Sequence, residues 1–284
     1  MRGALVLVLV SACTIYDPAE EIPHREYRGT QAAIGAILDE TPGTHVYAIG
    51  EYHPTRTAIV RQSPLARFTG EIVELLEPRA QHLIVEAWLD DTCRSADHDS
   101  IQMQVLKVTN RPPAQASDLQ ALIAASKSMR IQTHGLPMTC IEHSSVLDGH
   151  GRVDFLRLLL LVTEKLADTT KAMVGQGRDV IVYGGALHND LYPNWPLEDL
   201  SYAKQIQQEL GGGVLEIDLV VPEIVAPMAM VRREPWFPLL GRAAPDRVVV
   251  WERGPNSYVV ILPAQDLEAA KVALPAGYGG ATPI

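Results

Sequence analysis

Residues 179–190 read DVIVYGGALHND. The fold depends on the pattern they contain, a strand-like run followed by glycines and polar residues. After Asp179, the residues VIVY are apolar and rich in β-branched side chains, so DVIVY is predicted to form a short buried strand. Gly184 and Gly185 then end this strand, and His188 follows shortly after them. Ligands bind beyond the carboxyl ends of parallel strands, so polar residues placed directly after such a strand are candidate functional residues.

Outward from this segment, apolar runs alternate with segments whose apolar residues recur at helical spacing. The other predicted strands cover residues 45–50, 82–87, 131–136 and 214–221. The predicted helices cover residues 30–40, 65–76, 117–129, 154–174 and 201–210. Strands separated by helices need crossover connections, so we predict an α/β fold with a mostly parallel sheet flanked by helices on both faces. Residues 248–251 and 258–262 flank a Gly-Pro-Asn turn and predict a C-terminal antiparallel edge hairpin.

The composition is that of a globular protein without a nucleic-acid partner. The chain has 284 residues, of which 47% are hydrophobic, enough for one large or two small domains. Its formal net charge of −10 opposes binding to a phosphate backbone. The sequence has no apolar run of about 18 residues or more, so we expect no transmembrane helix.

The first residues resemble a bacterial lipoprotein signal. A basic start and a short apolar core precede Val10-Ser11-Ala12-Cys13, which is similar to a lipobox. The resemblance implies cleavage before Cys13, acylation of its thiol and anchoring in the bacterial cell envelope, at the outer membrane or facing the periplasm. The alternatives are a short first strand, or an unlipidated signal in which Cys13 is a bystander.

These observations divide the chain into five predicted segments. They are a lipoprotein signal peptide (1–12), a polar tether (13–29), an α/β domain (30–225), a C-terminal extension with the hairpin (226–272) and a loose tail (273–284). An oxidising compartment would allow a disulfide between Cys93 and Cys140, and two buried free thiols are the alternative.

Histidines and carboxylates follow several predicted strands and should meet at one edge of the sheet. Glu51 and His53 come after the first predicted strand, Glu86 ends the second, and His188 and Asp190 follow DVIVY. Two imidazoles with one or two carboxylates can hold Zn²⁺, Mn²⁺ or Fe²⁺ and leave a position for water. Without metal, a His–Glu pair can act as a general base. The structural alternative is that the two histidines cap helices or bond backbone carbonyls.

Two short motifs carry a family resemblance. GEYH (Gly50–His53) and GALH (Gly185–His188), with Glu86 in LIVEAW between them, resemble the superfamily of ChaN haem-uptake lipoproteins, Tiki and TraB proteins and erythromycin esterases. The chain length and the lipobox are most similar to the ChaN branch. The resemblance covers about residues 46–223 and implies the same α/β fold.

The hydrolytic branches of this superfamily imply an enzyme. Tiki-like members imply a metal-dependent peptidase in which His53, His188, Glu51 and Glu86 bind the metal and catalyse the reaction. Erythromycin esterases imply acid–base hydrolysis of an ester by the same side chains. We therefore expect a hydrolase of peptide or ester bonds, with a peptide or small-molecule substrate and a membrane contact through the lipid anchor.

The ChaN branch implies a different function, a non-catalytic haem- or metal-binding lipoprotein in iron uptake. Tyr52 or Tyr192 would then be the axial ligand of a haem iron. Arg56 is the candidate for the arginine that the superfamily carries near its site, and Asp190 is a second candidate for orienting a ligand. A degenerate scaffold that has lost its chemistry is the third alternative.

Overall fold

The computed structural model describes residues 19, 21–54, 61–87, 115–137 and 139–265. Eight strands within these ranges form one sheet. In chain order they are β1 (Arg25–Arg28), β2 (Val46–Glu51), β3 (His82–Val85), β4 (Gln132–His134), β5 (Val180–Gly185), β6 (Val214–Val220), β7 (Arg247–Gly254) and β8 (Ser257–Ile261).

The sheet is mostly parallel, as the alternation of apolar runs predicts. Its strand order is β1-β7-β8-β6-β2-β5-β3-β4. Parallel ladders join β4 to β3, β3 to β5, β5 to β2, β2 to β6 and β6 to β8. The strand β7 pairs antiparallel with both β8 and β1. The predicted α/β fold class, with an antiparallel hairpin on the C-terminal side of the sheet, is therefore confirmed.

Helices form the connections between the parallel strands. They are α1 (Thr30–Glu40), α2 (Pro64–Arg67), α3 (Val73–Leu76), α4 (Gln115–Ser128), α5 (Cys140–Ser145), α6 (Phe155–Val174), α7 (Ala186–Asn189), α8 (Tyr202–Leu210) and α9 (Pro222–Val225). A π-helical turn, Phe68–Ile72, joins α2 to α3, where the spacing of apolar residues predicts one continuous helix. Within the described ranges, no helix combines the length and apolar character needed to span a membrane.

Helix ends follow local sequence signals. Asp154 precedes α6, and its side chain accepts hydrogen bonds from the backbone N–H groups of Leu156 and Arg157. Gly211 ends α8 in the left-handed conformation, at φ 66°. Glycine adopts this conformation without the steric cost that a Cβ imposes, so the helix ends where the run of glycines begins.

Each face of the sheet carries its own apolar layer, because successive strand residues point to opposite faces. In β2, Tyr47 and Ile49 pack with α1, α3 and the segment 222–240, whereas Val46 and Ala48 pack with α6 and α8. We call these two faces the α1 side and the α6 side. Because helices cover both faces, β2, β5 and β6 are buried along their whole length.

The amino-terminal end of the fold differs from the expectation. The predicted polar tether, residues 13–29, is wrong at its end, because Arg25–Arg28 form β1 and pair with β7. The side chains of β1 alternate between half-buried and exposed, so this edge strand lacks the apolar run that marks a buried one. The predicted signal peptide, Cys13 and the predicted tail 273–284 lie outside the described residues.

The predicted C-terminal extension completes the same core. Trp236, Phe237 and Leu240 are buried in the apolar layer on the α1 side. The strand β8 lies between β6 and β7, and thus joins the extension to the parallel part of the sheet. Residues 226–261 therefore pack as part of the α/β domain.

Cys140 opens α5 and is exposed and disulfide-bonded. The alternative of a buried free thiol is therefore wrong for this residue. Cys93 lies outside the described residues, and its pairing with Cys140 stays a prediction.

Gly50 lies where β2 meets both β6 and α7. Its register partners are Gly184 of β5 and Asp218 of β6. A Cβ atom on Gly50 would lie 2.1 Å from Asp218 Oδ1 and 2.9 Å from the Cα atom of Ala186, both far inside contact distance. The missing side chain therefore allows Asp218 and α7 to lie directly against the backbone of β2.

We expect Gly50→Ala to destabilise the protein by about 1–3 kcal/mol, because the new methyl group meets backbone atoms that cannot rotate away. Gly35→Ala is the matched control, since Gly35 lies inside α1 with no atom within 4 Å of an added Cβ. It should stabilise the protein by about 0.5–1 kcal/mol through helix propensity. Urea unfolding measures both changes, and equal effects of the two substitutions would contradict this account.

Candidate functional site

A small cavity opens at the carboxyl ends of β2, β3 and β5. Its volume is about 70 Å³. Polar and apolar side chains line it together: Glu51, His53, Leu65, Val85, Glu86, Ala87, Leu119, Tyr183 and Gly184. Leu65 comes from α2 and Leu119 from α4, so the helices on the α1 side cover this edge of the sheet. The cavity lies at the edge where the sequence predicts ligand binding.

A buried hydrogen-bond chain orients His53. The hydroxyl group of Tyr183 donates to Glu51 Oε2, and Glu51 Oε1 lies 2.6 Å from His53 Nδ1. The side chain of Glu51 is 1% exposed and that of His53 29%, so the carboxylate is buried while the ring reaches the cavity. An ionised carboxylate only accepts hydrogen bonds, so His53 Nδ1 donates and Nε2 is the acceptor nitrogen. Phe68 packs on Tyr183, with 4.7 Å between the ring centroids.

Glu86 reaches the same place from the end of β3. Its Oε2 accepts a hydrogen bond from the backbone N–H of Gly185 at 2.6 Å, and its Oε1 lies 3.8 Å from His53 Nε2. A Cβ atom on Gly185 would lie 2.9 Å from His53 Nε2, and one on Gly184 would lie 2.9 Å from Glu86 Oε2. The two glycines therefore leave the space in which the imidazole and the carboxylate meet.

His188 approaches the same glycine from the α6 side. Its Cδ2 lies 3.7 Å from the position of a Cβ on Gly185, so the two motif histidines come close together, as the sequence predicts. The residue is 3% exposed and does not line the cavity. Its Nδ1 lies 2.9 Å from Thr163 Oγ1 and 3.1 Å from the carbonyl oxygen of Leu200. The structural alternative, a bond to a backbone carbonyl, is therefore found at His188.

The implied metal ligands do not form a metal centre in the described part of the chain. No group of three or more His, Cys, Asp or Glu side chains in that part is arranged to hold a metal ion. The Nδ1 atom of His53 faces Glu51, and Glu86 Oε2 faces a backbone N–H group. The site of zinc, manganese or iron thus stays a prediction, whereas the contacts present are those of a His–Glu acid–base site.

The two candidate haem ligands lie outside the cavity lining. Tyr52 packs against Trp236 at 5.7 Å between ring centroids, and burial together with the charge of Asp218 raises its pKa. A raised pKa opposes the phenolate form that ligates haem iron. The hydroxyl group of Tyr192 donates to the carbonyl oxygen of Pro255 in the β7–β8 turn. Haem binding therefore stays a prediction that these contacts do not favour.

Asp190 belongs to a different polar cluster on the α6 side. Its Oδ1 lies 2.6 Å from Arg253 Nη1. The same guanidinium group lies 3.2 Å from Glu216 Oε1 and 3.5 Å from Asp218 Oδ2. Three carboxylates thus share one arginine, and we call these four residues the Arg253 cluster. Arg56, the other candidate for orienting a ligand, lies outside the described residues.

The Arg253 cluster shifts the titration of its buried members. Burial raises the pKa of Glu216 to about 7, and the negative charge of Asp190 adds to the rise while Arg253 opposes it. Burial and the neighbouring Glu216 also raise the pKa of Asp218 well above its usual range. A protonated carboxyl group in this pair removes the repulsion between two buried charges.

Sequence reasoning missed three kinds of residue that the structure assigns to these sites. Tyr183 is hidden in an ordinary apolar strand, and Arg253 lies in a hairpin far along the chain. The signal for Glu216 and Asp218 was present, because VLEIDLV places two acidic residues inside an otherwise apolar strand. A carboxylate at such a position must find a partner or lose its charge.

Comparisons with known proteins leave the family open. No family model and no curated protein matches the chain. Among solved structures, the type III effector HopBA1 superposes with a TM-score of 0.45 at 15% sequence identity, over 86% of this chain and 98% of that one. A likeness at that level carries no functional argument.

The raised pKa of Glu216 predicts how stability depends on pH. Between the usual glutamate pKa of about 4.3 and the folded value, the folded state holds a proton that the unfolded state has lost. The free energy of unfolding should therefore fall as the pH rises through this window toward about 7, and the raised pKa of Asp218 extends the fall to higher pH. The side chain at this position in Glu216→Gln is neutral at every pH, so the free energy of unfolding of this variant should fall less over the same pH range.

Urea unfolding at pH 5, 6, 7 and 8 measures this difference. Glu209→Gln is the control, because Glu209 forms an exposed ion pair with Lys171 on the same side of the sheet. Stability curves of the wild type and Glu216→Gln that run parallel over this range would contradict the prediction.

Proposed function

We propose that this protein is a hydrolase of ester or peptide bonds that uses His53 as its acid–base residue. One observation carries the proposal: His53 is oriented by the buried Glu51, and its Nε2 faces Glu86 across 3.8 Å in a cavity at the carboxyl edge of the sheet. The resemblance to Tiki proteins and erythromycin esterases supports the same reaction class. In this proposal the enzyme is a lipoprotein of the bacterial cell envelope, anchored by lipid on Cys13.

The distance between His53 and Glu86 suits a water molecule as the nucleophile. The separation of 3.8 Å is too long for a direct hydrogen bond, but a water that lies to one side of the pair can bond to both atoms. His53 Nε2 accepts one proton of that water, and the ionised Glu51 stabilises the imidazolium that forms. Glu86 fixes the position of the water, because its other oxygen is held by the backbone N–H of Gly185.

The reaction then has two steps. In the first, the water oxygen bonds to the carbonyl carbon of the substrate, the π-electron pair of the C=O bond moves onto its oxygen, and one water proton passes to His53. In the second, the C=O double bond re-forms, the bond from that carbon to the leaving oxygen or nitrogen breaks, and the proton on His53 passes to the leaving group. The products are a carboxylic acid and an alcohol or amine, and His53 returns to its starting form.

The cavity limits the group that can approach His53. At about 70 Å³ it has room for a few water molecules or for one small acyl group. Leu65, Val85 and Leu119 form its apolar walls, which favour a hydrocarbon group over a charged one. A short-chain acyl ester is therefore the suitable first probe.

His53→Ala and Glu86→Gln should each lower the rate of p-nitrophenyl acetate hydrolysis by about 10²–10⁴-fold, because each removes a group that acts on the water. His45→Ala is the matched control. His45 Nδ1 also lies 2.8 Å from a carboxylate, Asp179 Oδ1, but this pair sits at the amino end of β2 and its ring is exposed. Its removal should leave the rate unchanged.

Initial rates of purified wild type and variants, together with the metal content of each sample, test the proposal. Equal losses in His45→Ala and His53→Ala would mean that any surface imidazole hydrolyses the probe. Bound metal in the wild type that is lost from both His53→Ala and His188→Ala would favour the metal-dependent version. Absence of turnover in the wild type, with this ester and with a dipeptide amide, would reject the hydrolase.

The lipid anchor has its own test. We expect the wild-type chain to incorporate radiolabelled palmitate and to sediment with bacterial membranes, because two or more acyl chains hold a protein stably in a bilayer. Cys13→Ser should abolish both, since serine offers no thiol to acylate. Cys140→Ser is the matched control, and a Cys13→Ser chain that still carries label would contradict lipidation at this position.

A further inference from the structure

Two histidine rings face each other outside the His53 cavity. They lie on β3 and β4, the last two strands at one end of the sheet. His82 is the first residue of β3, and His134 is the last residue of β4. His82 Nδ1 and His134 Nε2 are 3.1 Å apart, and the ring planes are inclined by only 30°. Both residues are partly exposed, so solvent and ions have access to the pair.

The separation of the two nitrogens fits a chelated metal ion. Metal–imidazole bonds of about 2.0–2.1 Å from one ion to two nitrogens 3.1 Å apart subtend an angle of about 98° at the ion. This angle lies between the square-planar value of about 90° and the tetrahedral value of about 109°, geometries that divalent copper, nickel and zinc adopt. Neighbouring parallel strands therefore hold the two rings at the bite of a two-imidazole chelate.

We propose that His82 and His134 bind a divalent transition-metal ion, Cu²⁺ most tightly and then Ni²⁺ or Zn²⁺, with the remaining coordination positions open to water. The order follows the general affinity of nitrogen ligands for these ions. The site is independent of the proposed hydrolase, because neither histidine lines the His53 cavity. Glu86 comes four positions after His82 along the chain, about 13 Å if the chain is extended.

The protonation of the two rings is compatible with this role. Burial lowers the pKa of His82, and burial together with the adjacent His82 lowers that of His134. Both imidazoles are therefore neutral near pH 7, the form that ligates metals. Without a metal, one ring donates a hydrogen bond to the other; when a metal binds, the donor ring carries that proton on its other nitrogen, so both rings stay neutral.

Arg178 opposes the ion and therefore provides a control. Its positive charge contributes to the lowered pKa of both histidines, and its guanidinium donates to Met173 Sδ at 3.4 Å. A cation bound between the rings would meet the same repulsion. Removal of this charge should therefore tighten metal binding. If the two histidines formed only a hydrogen bond and bound no metal, the substitution would have no such effect.

Titration of the full-length chain with Cu²⁺ tests the proposal by calorimetry and by electron paramagnetic resonance. The wild type should bind one equivalent of Cu²⁺ at this site, with a spectrum that shows two coordinated imidazole nitrogens. His82→Ala and His134→Ala should each weaken this binding by about 10-fold or more. Arg178→Gln should tighten it, and His45→Ala, which removes an exposed histidine elsewhere, should not change it.

The outcomes distinguish this site from the His53 cavity. His53→Ala should retain the Cu²⁺ site, so failure of the hydrolase proposal leaves this one standing, and the reverse also holds. The proposal is overturned if His82→Ala and His134→Ala bind Cu²⁺ as the wild type does, or if the wild-type spectrum shows fewer than two imidazole nitrogens. A wild type that binds no Cu²⁺ overturns it as well.

Discussion

Close packing at the carboxyl ends of β2 and β5 is the constraint on which the candidate site depends. Side chains on Gly50, Gly184 or Gly185 would each collide with a carboxylate or an imidazole of the neighbouring polar groups. The glycines of the two GxxH motifs therefore leave room for the polar side chains that lie across the strand ends, directly against the backbone. The sheet brings these positions together, since Gly50 and Gly184 are register partners in adjacent parallel strands.

Two polar systems lie on opposite sides of this glycine-lined edge. On the α1 side, Tyr183, Glu51 and His53 form a directed chain in which each donor meets an acceptor. On the α6 side, the Arg253 cluster has three carboxylates for one guanidinium group, and a raised pKa relieves the excess negative charge. The first arrangement orients the ring of His53, whereas we expect the second to make the free energy of unfolding depend on pH.

The histidines along the sheet show how surroundings set the chemistry of one side chain. His53 and His45 both place Nδ1 against a carboxylate, but only the pair at His53 lies in a cavity beside a second carboxylate. His82 Nδ1 faces a nitrogen of another imidazole, that of His134, instead. His188 bonds a threonine and a backbone carbonyl and is buried. Burial and the partner of Nδ1 therefore distinguish the proposed acid–base residue His53 from the proposed metal ligand His82 and from the buried His188.

The sequence by itself determined the fold class and the edge at which the site lies, because hydrophobic periodicity is local: α1 spans residues 30–40, as its apolar spacing predicts. It could also place Glu51, His53 and Glu86 at the carboxyl ends of their strands. Tertiary structure alone decided which groups meet. Tyr183 lies 132 residues from Glu51 and Arg253 lies 63 residues from Asp190, so these contacts depend on crossover and register. The edge strand β1 had no apolar run to reveal it, because its pairing with β7 comes from backbone hydrogen bonds that any sequence can make.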